Sequence, residues 1–358
     1  MRSFDYRRLE DCLWDGEVVS LVSQIHEYKG RQDLFVSQRP SSMARLVEIA
    51  KVQSVESSNR IEGIVTTKAR IRSLVADKTT PRNRDEEEIM GYRDLLNMVH
   101  ENYEYIDLTR HIVLQLHRDL YAYSHKGIGG QFKNVQNSII ERLADGSEVE
   151  RFKPLAPYET PAAIDEICQG VNAVLQDKSV NPLLVIPVFI HDFLCIHPFN
   201  DGNGRMSRLL TTLLLYQNGY MIGKFISLEQ KIERTKDRYY AALAQSGAGW
   251  HTGDEEIVPF VKYMLRVILA AYRDFESRIE LLTMSLSAKD RIKIIISATI
   301  GKITKSGILE KQPDIAVSTV EKALKELVEE GFIERHGVGR STFYVKVSQK
   351  ISFHAKYI

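Results

Sequence analysis

The chain has 358 residues, 44% apolar and 27% charged, a balance that excludes a collagen-like or intrinsically disordered chain and leaves room for more than one packed core. Basic residues number 48 against 47 acidic ones, a net charge of +1, so no global field points to nucleic acid or to an anionic membrane. Cys12, Cys168 and Cys195 lie far apart without CxxC spacing, which argues against a disulfide framework or a zinc finger and for a reducing compartment.

The opening MRSFDYRRLEDCLWDG carries charge where a signal peptide needs an apolar stretch, and the apolar run at 185–196 is broken by Pro187, His191 and Asp192. A cytoplasmic protein without a membrane partner is expected. From 41 to 123, apolar residues recur at spacings of three and four through ARLVEIAKVQSVESSNRIEG, TTKARIRSLVADK, DEEEIMGYRDLLNMVHENYEY and LTRHIVLQLHRDLYAYS, which predicts a helical bundle. GIGGQF, FKNVQNSII, the turn former ADG at 144–146 and EVERFKPLAP interrupt that rhythm and predict a β-hairpin. Helices resume from AAIDEICQGVNAVLQ to VKYMLRVILAAYRDFESRIELL, the densest apolar block and the expected main core. After 287 come three helical segments, DRIKIIISATIG, KSGILEK and VSTVEKALKELVEEG, and then FIERHGVGRSTFYVKV. Three helices and two short strands are the layout of a winged helix-turn-helix. The predicted fold class is mainly α, with an N-terminal helical region at 1–100, a core at 101–284 and a C-terminal domain at 285–358.

Chemistry concentrates in HPFNDGNGRMSR at 197–208. Asn200, Asp201, Gly202, Asn203 and Gly204 join the end of one apolar helix to the start of the next with residues that tolerate left-handed backbone and expose amides. Amides opening onto a helix N-terminus make an anion nest. Beside it stand the imidazole of His197, the carboxylate of Asp201, and Arg205 and Arg208 on one helix face. Phosphoryl or nucleotidyl transfer needs such a set: a base, a metal ligand and cations for phosphates. Mg²⁺ suits one carboxylate plus phosphate oxygens. Taken singly, Asn203 reads as an N-cap, His197 as a core histidine and the arginines as a solvated face; their co-occurrence favours the chemical reading.

The run 197–208 resembles, without departure, the signature of Fic proteins, HPFx(D/E)GNGRxxR. The resemblance implies a Fic-type helical bundle with a β-hairpin flap, which moves AMP from ATP to a Tyr, Thr or Ser hydroxyl of a protein target. It implies His197 as general base, Asp201 as Mg²⁺ ligand, and Gly202, Asn203 and Gly204 as anion hole. Arg205 and Arg208 would hold the β- and γ-phosphates. GGQFKNVQNSII at 129–140 is similar to the flap, with Gly130, Phe132, Lys133, Gln136, Asn137 and Ile139 facing the target; the family more often has arginine at Lys133, and a glycine soon after the second strand-like position. RYYAALAQ at 238–245 lies where Fic proteins place the nucleobase, with Tyr239, Tyr240 and Leu243 as contacts. Gly247 stands where many relatives carry an asparagine, so the choice of nucleotide stays open. SSNRIEG at 57–63 resembles the inhibitory motif (S/T)xxxE(G/N) through Ser58, Glu62 and Gly63, on a helix at about 50–63. The resemblance implies that Glu62 occupies Arg208, with a bidentate contact expected.

The third C-terminal helix sets Glu321, Glu326, Glu329 and Glu330 against Lys322 and Lys325, while the wing offers Arg335, His336 and Arg340. Protein docking or a homodimer is at least as well supported as DNA. Two other readings stand beside the transferase: a metal phosphohydrolase built on His191, Asp192, His111 and His117, and a transcription regulator that senses nucleotide. Removal of AMP and self-modification also stay open.

Overall fold

The structure, a computed structural model, describes residues 4–38, 40–142, 148–283, 286–299, 301–312 and 314–347. Backbone packing divides the chain into one unit at Met1–Phe275 and another at Glu276–Ile358. The expected N-terminal region and core therefore share the first unit. Among the described residues no helix is long and apolar enough to cross a membrane.

The first unit opens with a 3-10 turn at Tyr6–Leu9 and α1 (Gly16–Gln38), followed by α2 (Pro40–Ile61), α3 (Lys68–Val75), α4 (Arg84–Asn102) and α5 (Arg110–Leu120). Side chains set the helix starts: Thr67, Asn83 and Thr109 each accept an amide of the first turn, a cap worth about 1 kcal/mol. Asp85, Glu86 and Glu87 add negative charge at the N-terminus of α4, where the helix dipole favours it. Gly91 of α4 lies so close to the Leu120 carbonyl that any side chain would collide with it, which brings α4 and α5 together under the site.

The hairpin follows as β1 (Ile139–Arg142) and β2 (Glu148–Phe152), antiparallel with Ile139 opposite Phe152 and a bulge after Ile139. The turn expected at 144–146 lies outside the described residues. Then come α6 (Thr160–Asp177), α7 (Pro182–Ile196), α8 (Asn203–Gln217), α9 (Leu228–Arg234), α10 (Lys236–Gly247) and α11 (Val258–Thr283). From Leu183 to Ile196 every residue of α7 is buried, the mark of a helix packed on all sides. It lies against α6 and α8, while α2 packs on α4 and α9.

Asp192 on α7 is buried and accepts from Tyr6 Oη at 2.9 Å and Trp250 Nε1 at 2.7 Å. These bonds tie the N-terminal turn to the core and make Asp192 a structural anchor.

The second unit contains α12 (Ala288–Ala298), β3 (Lys302–Ile303), α13 (Lys305–Lys311), α14 (Val317–Glu329), β4 (Ile333–His336) and β5 (Phe343–Lys346). Its sheet has the order β3-β5-β4. Ile292, Ile296, Ile308, Val320, Leu324 and Leu327 make the core beneath it. The strand β3 is a third strand where the sequence reading had two; two residues are too few to show a period.

Candidate active site

The motif joins two buried helices. α7 ends at Ile196, and His197 caps it in a left-handed conformation, φ 51°, with its N–H donating to the Phe193 carbonyl at 3.0 Å. A non-glycine residue adopts this backbone at a cost of roughly 1 kcal/mol, so neighbouring bonds must hold it. Asn203 supplies two: its side chain accepts from the Phe199 N–H at 2.9 Å and donates to the Phe199 carbonyl at 2.8 Å. Asn203 is therefore a clamp across the loop and not the helix N-cap.

His197 Nδ1 donates to the Leu194 carbonyl at 3.2 Å, which leaves Nε2 as the basic nitrogen. Burial depresses the imidazole pKa to about 4, with the Leu194 bond working against it and the Lys133 charge adding to it. The ring is neutral at pH 7, the form a base requires.

α8 begins at Gly202, φ 88°, with no side-chain cap, and its first helical bond runs from Met206 N to the Gly202 carbonyl. The first-turn amides are thus left to whatever occupies the mouth of the loop, under the positive end of the dipole. Tyr121 packs on this turn: a methyl at Gly202 would lie 3.1 Å from its ring and hydroxyl.

Glu62 sits at that mouth. One of its oxygens accepts from Arg208 Nη2 at 2.8 Å, while Arg208 Nε and Nη2 also donate to Ser58 Oγ and the Ser58 carbonyl, each at 2.9 Å. The pairing through a single carboxylate oxygen replaces the bidentate contact expected from sequence, because Ser58 takes the rest of the guanidinium edge. Any side chain at Gly204 would collide with the Glu62 carboxylate, so this group lies directly over the start of α8. Gly63 explains how it gets there. With φ 80°, its N–H donates to the Arg60 carbonyl, and the Ile64 N–H donates to that of Asn59. This is a Schellman ending to α2, which wants glycine or asparagine at the left-handed position.

Arg205 is fully buried and turned to Glu88 of α4, 2.8 Å away, and to the Tyr121 hydroxyl, also at 2.8 Å. Its Nε and Nη1 find no hydrogen-bond acceptor among the described residues. Asp201 accepts the Gly202 N–H at 2.7 Å on one oxygen and Lys126 Nζ at 2.7 Å on the other. Burial pushes this carboxyl up, but Lys126, Arg205 and the amide together hold it below the usual range. Among the described residues no three His, Cys, Asp or Glu side chains form a metal cage. Asp201 fits Mg²⁺ only as one carboxylate sharing the ion with phosphate oxygens.

Sequence reasoning missed what supports the loop. His117 of α5 accepts the Gly130 N–H at Nδ1, 3.1 Å, so its Nε2 carries the proton donated to the Asp201 carbonyl at 3.0 Å. The ring stacks on Phe199 at 3.6 Å. Both nitrogens are spent on backbone, which removes His117 from the phosphohydrolase reading. Burial lowers the pKa of His117 to about 4, and that of His100 to about 3. Each ring stays neutral in the fold, so stability is full above the unfolded value near 6.5 and falls as pH drops below it, by about 1.4 kcal/mol per pH unit per histidine until its folded pKa is reached. His117→Phe keeps the stack and removes one titration; urea unfolding at pH 7 and pH 5 should show a smaller stability loss than in wild type. An unchanged loss would rule out this assignment.

The flap segment lies across the same loop. Lys133 is buried, with its N–H on the Pro198 carbonyl at 2.8 Å, and Nζ on the Ile196 carbonyl at 2.8 Å and Asn137 Oδ1 at 3.1 Å. It therefore grips the backbone on either side of His197, and burial lowers its pKa to about 8. Asn137 donates to the Phe199 carbonyl, Phe132 stacks near Phe199, and Gln136 donates to the Pro154 carbonyl. Lys133 and Asn137 thus face the motif, whereas half-buried Ile139 stands in β1. Tyr239 is buried among Phe260 and Tyr263, Tyr240 is 44% exposed, and Leu243 is half-buried.

Residues 107–215 match the model of the Fic/DOC family. The chain carries a Fic/DOC domain. The matched span begins just before α5 and ends within α8, so it contains His117, the flap and the whole motif. The chain is 26% identical over 322 residues to the Drosophila melanogaster "Protein adenylyltransferase Fic", covering 87% of this chain and 58% of that protein. A Nematostella vectensis protein of the same name is 24% identical over 234 residues, covering 63% of this chain and 48% of its own length. The chain thus spans about half the length of these curated relatives, 58% of one and 48% of the other. The crystal structure of a Fic family protein from Desulfovibrio desulfuricans G20 superposes with a TM-score of 0.62 at 20% identity, covering 94% of this chain and 98% of that one.

Proposed function

We propose that this chain is a braked protein adenylyltransferase that joins AMP from ATP to a Tyr, Thr or Ser hydroxyl of a protein. The observation that carries the reading is the pairing, within one loop, of a neutral imidazole whose Nε2 is the basic nitrogen with a helix start that no side chain caps. The first provides the base and the second an anion cradle. The name of the curated relatives points the same way.

In this reading His197 Nε2 takes the proton of the target hydroxyl as its oxygen attacks the α-phosphorus. The bond to the bridging oxygen of the β-phosphate breaks, pyrophosphate leaves and an AMP ester remains. The α8 amides stabilise charge on the phosphates as it develops. Arg205 brings two buried donors that lack acceptors among the described residues, and Arg208 becomes available to the γ-phosphate once Glu62 withdraws. Mg²⁺ held at Asp201 would supply charge neutralisation to the phosphates. Lys133 and Asn137 act as positioning residues for the loop, leaving the outer edge of the hairpin for the target strand.

We read the second unit as a winged helix that docks on protein or on a second copy. The acidic groups of α14 are already paired with lysines, Lys305 with Glu321 and Lys289 with Glu326 and Glu330, which gives that helix little attraction for phosphates. The side chain of Arg340 in the wing lies outside the described residues.

The deciding experiment incubates the chain and candidate targets with ATP labelled at either the α- or the γ-phosphate. Label retained on protein from α-labelled ATP alone supports AMP transfer. Label from the γ-position would instead mean phosphorylation and end the proposal.

A further inference from the structure

The nearest charge facing Asp201 in the fold belongs to Lys126, a residue outside the motif, with Arg205 farther off at 3.7 Å. Lys126 Nζ lies 2.7 Å from Asp201 Oδ2, 2.8 Å from the Glu88 carboxylate and 5.3 Å from the centre of the Tyr121 ring. Its side chain is only 18% exposed. The turn that presents it is fixed by the Lys126 N–H on Ser124 Oγ and by Gly127, whose φ of 64° suits glycine. Three contacts on the ammonium, one backbone hydrogen bond and the glycine turn beside it make this a held cation and not a passing surface lysine.

The two oxygens of Asp201 are both committed, one to the Gly202 amide and one to Lys126. A divalent ion at Asp201 must therefore displace the ammonium or share the carboxylate with a second positive charge. We infer that Lys126 is a resident counter-ion of Asp201 that keeps divalent metal out until nucleotide phosphates arrive with their own negative charge. The inference rests on the reading of Asp201 as a metal ligand. Lysine suits the task because its compact ammonium rides on a flexible stem. On leaving Asp201 it keeps Glu88 as a partner, so displacement costs one ion pair and no buried, unpaired charge. The device would stop metal from binding in the absence of nucleotide.

Binding of Mn²⁺ to the full chain without nucleotide, followed by loss of the free-ion EPR signal, tests this apart from any catalysis. Lys126→Met removes the charge and keeps the stem; Lys126→Gln is the second variant, with thermal unfolding to confirm that both fold. Each should bind Mn²⁺ about three- to tenfold more tightly than wild type, the worth of one partly buried ion pair. Adding Asp201→Asn to Lys126→Met should cancel the gain. Equal or weaker binding by both lysine variants, or no measurable binding to either at millimolar Mn²⁺, overturns the counter-ion. A gain that survives Asp201→Asn overturns it as well and takes Asp201 as metal ligand with it. The proposed adenylyl transfer is judged separately by the label experiment.

Discussion

Replacing Glu62 by glycine should raise transfer of label from α-³²P ATP by about tenfold to a hundredfold, the equivalent of one hydrogen bond between charged groups. The carboxylate sits over the first turn of α8 and holds Arg208 Nη2 at 2.8 Å, so in the proposed reaction it would compete for the amides and the guanidinium that bind the triphosphate. Its removal should not unfold the protein. Arg208 retains Ser58 Oγ and the Ser58 carbonyl, and Glu62 closes α2 at a position that glycine tolerates. The carboxylate also sits at the negative end of the α2 dipole, where the Arg208 partner and the positive end of the α8 dipole offset that cost. Any signal that draws Arg208 away therefore loosens the helix end, and a shift of a few kcal/mol suffices to expose the competent state. His197→Ala in the Glu62→Gly background should return labelling to background, because it deletes the proposed base and leaves the cradle intact. Two results would refute this account: labelling unchanged by Glu62→Gly, or labelling that survives His197→Ala.

The motif was legible because its chemistry is local: six polar or glycine residues in one turn announce a loop that presents amides whatever surrounds it. The pairing of Glu62 with Arg208 was legible as a short motif, and the structure adds a reason for its glycine, since Gly63 takes the left-handed end of α2. The single-oxygen contact to Arg208 could not be read, because it depends on Ser58 being one turn back on the same helix face and reaching the same guanidinium. His117, Tyr121, Lys126 and Glu88 were hidden for a different reason. Each meets the motif across many residues of chain, and nothing in LHRDLYAYSHK shows that an imidazole will have one nitrogen on Gly130 and the other on Asp201. Lys133 read as a flap residue facing the target, yet its side chain is buried against the loop, with the ammonium on the Ile196 carbonyl. Strand patterns reveal alternation, not whether the end of a hairpin folds inward.

Glu88→Ala should be the most destabilising substitution at the site, costing about 3 to 5 kcal/mol. Glu88 and Arg205 are 2% and 0% exposed, and Glu88 also takes Lys126 and Arg84. Truncating it leaves the Arg205 guanidinium buried, with Tyr121 and the more distant Asp201, 3.7 Å away, as partners. Lys126 can turn to solvent, whereas Arg205 cannot. A loss of that size should lower the thermal midpoint by roughly 10 °C in a unit of this length. The effect is one of uncompensated charge and not of lost volume, and a second variant separates the two. Glu88→Leu with Arg205→Met replaces the pair by apolar groups of similar size, and such swaps are commonly near neutral for stability. The double variant should regain most of the lost midpoint yet transfer no AMP, since Arg205 also supplies phosphate donors in the proposed reaction. A Glu88→Ala protein that melts within about 2 °C of wild type, a shift worth about 1 kcal/mol or less, would mean that Arg205 is hydrated in solution and that the α4–α8 pair does not hold the loop.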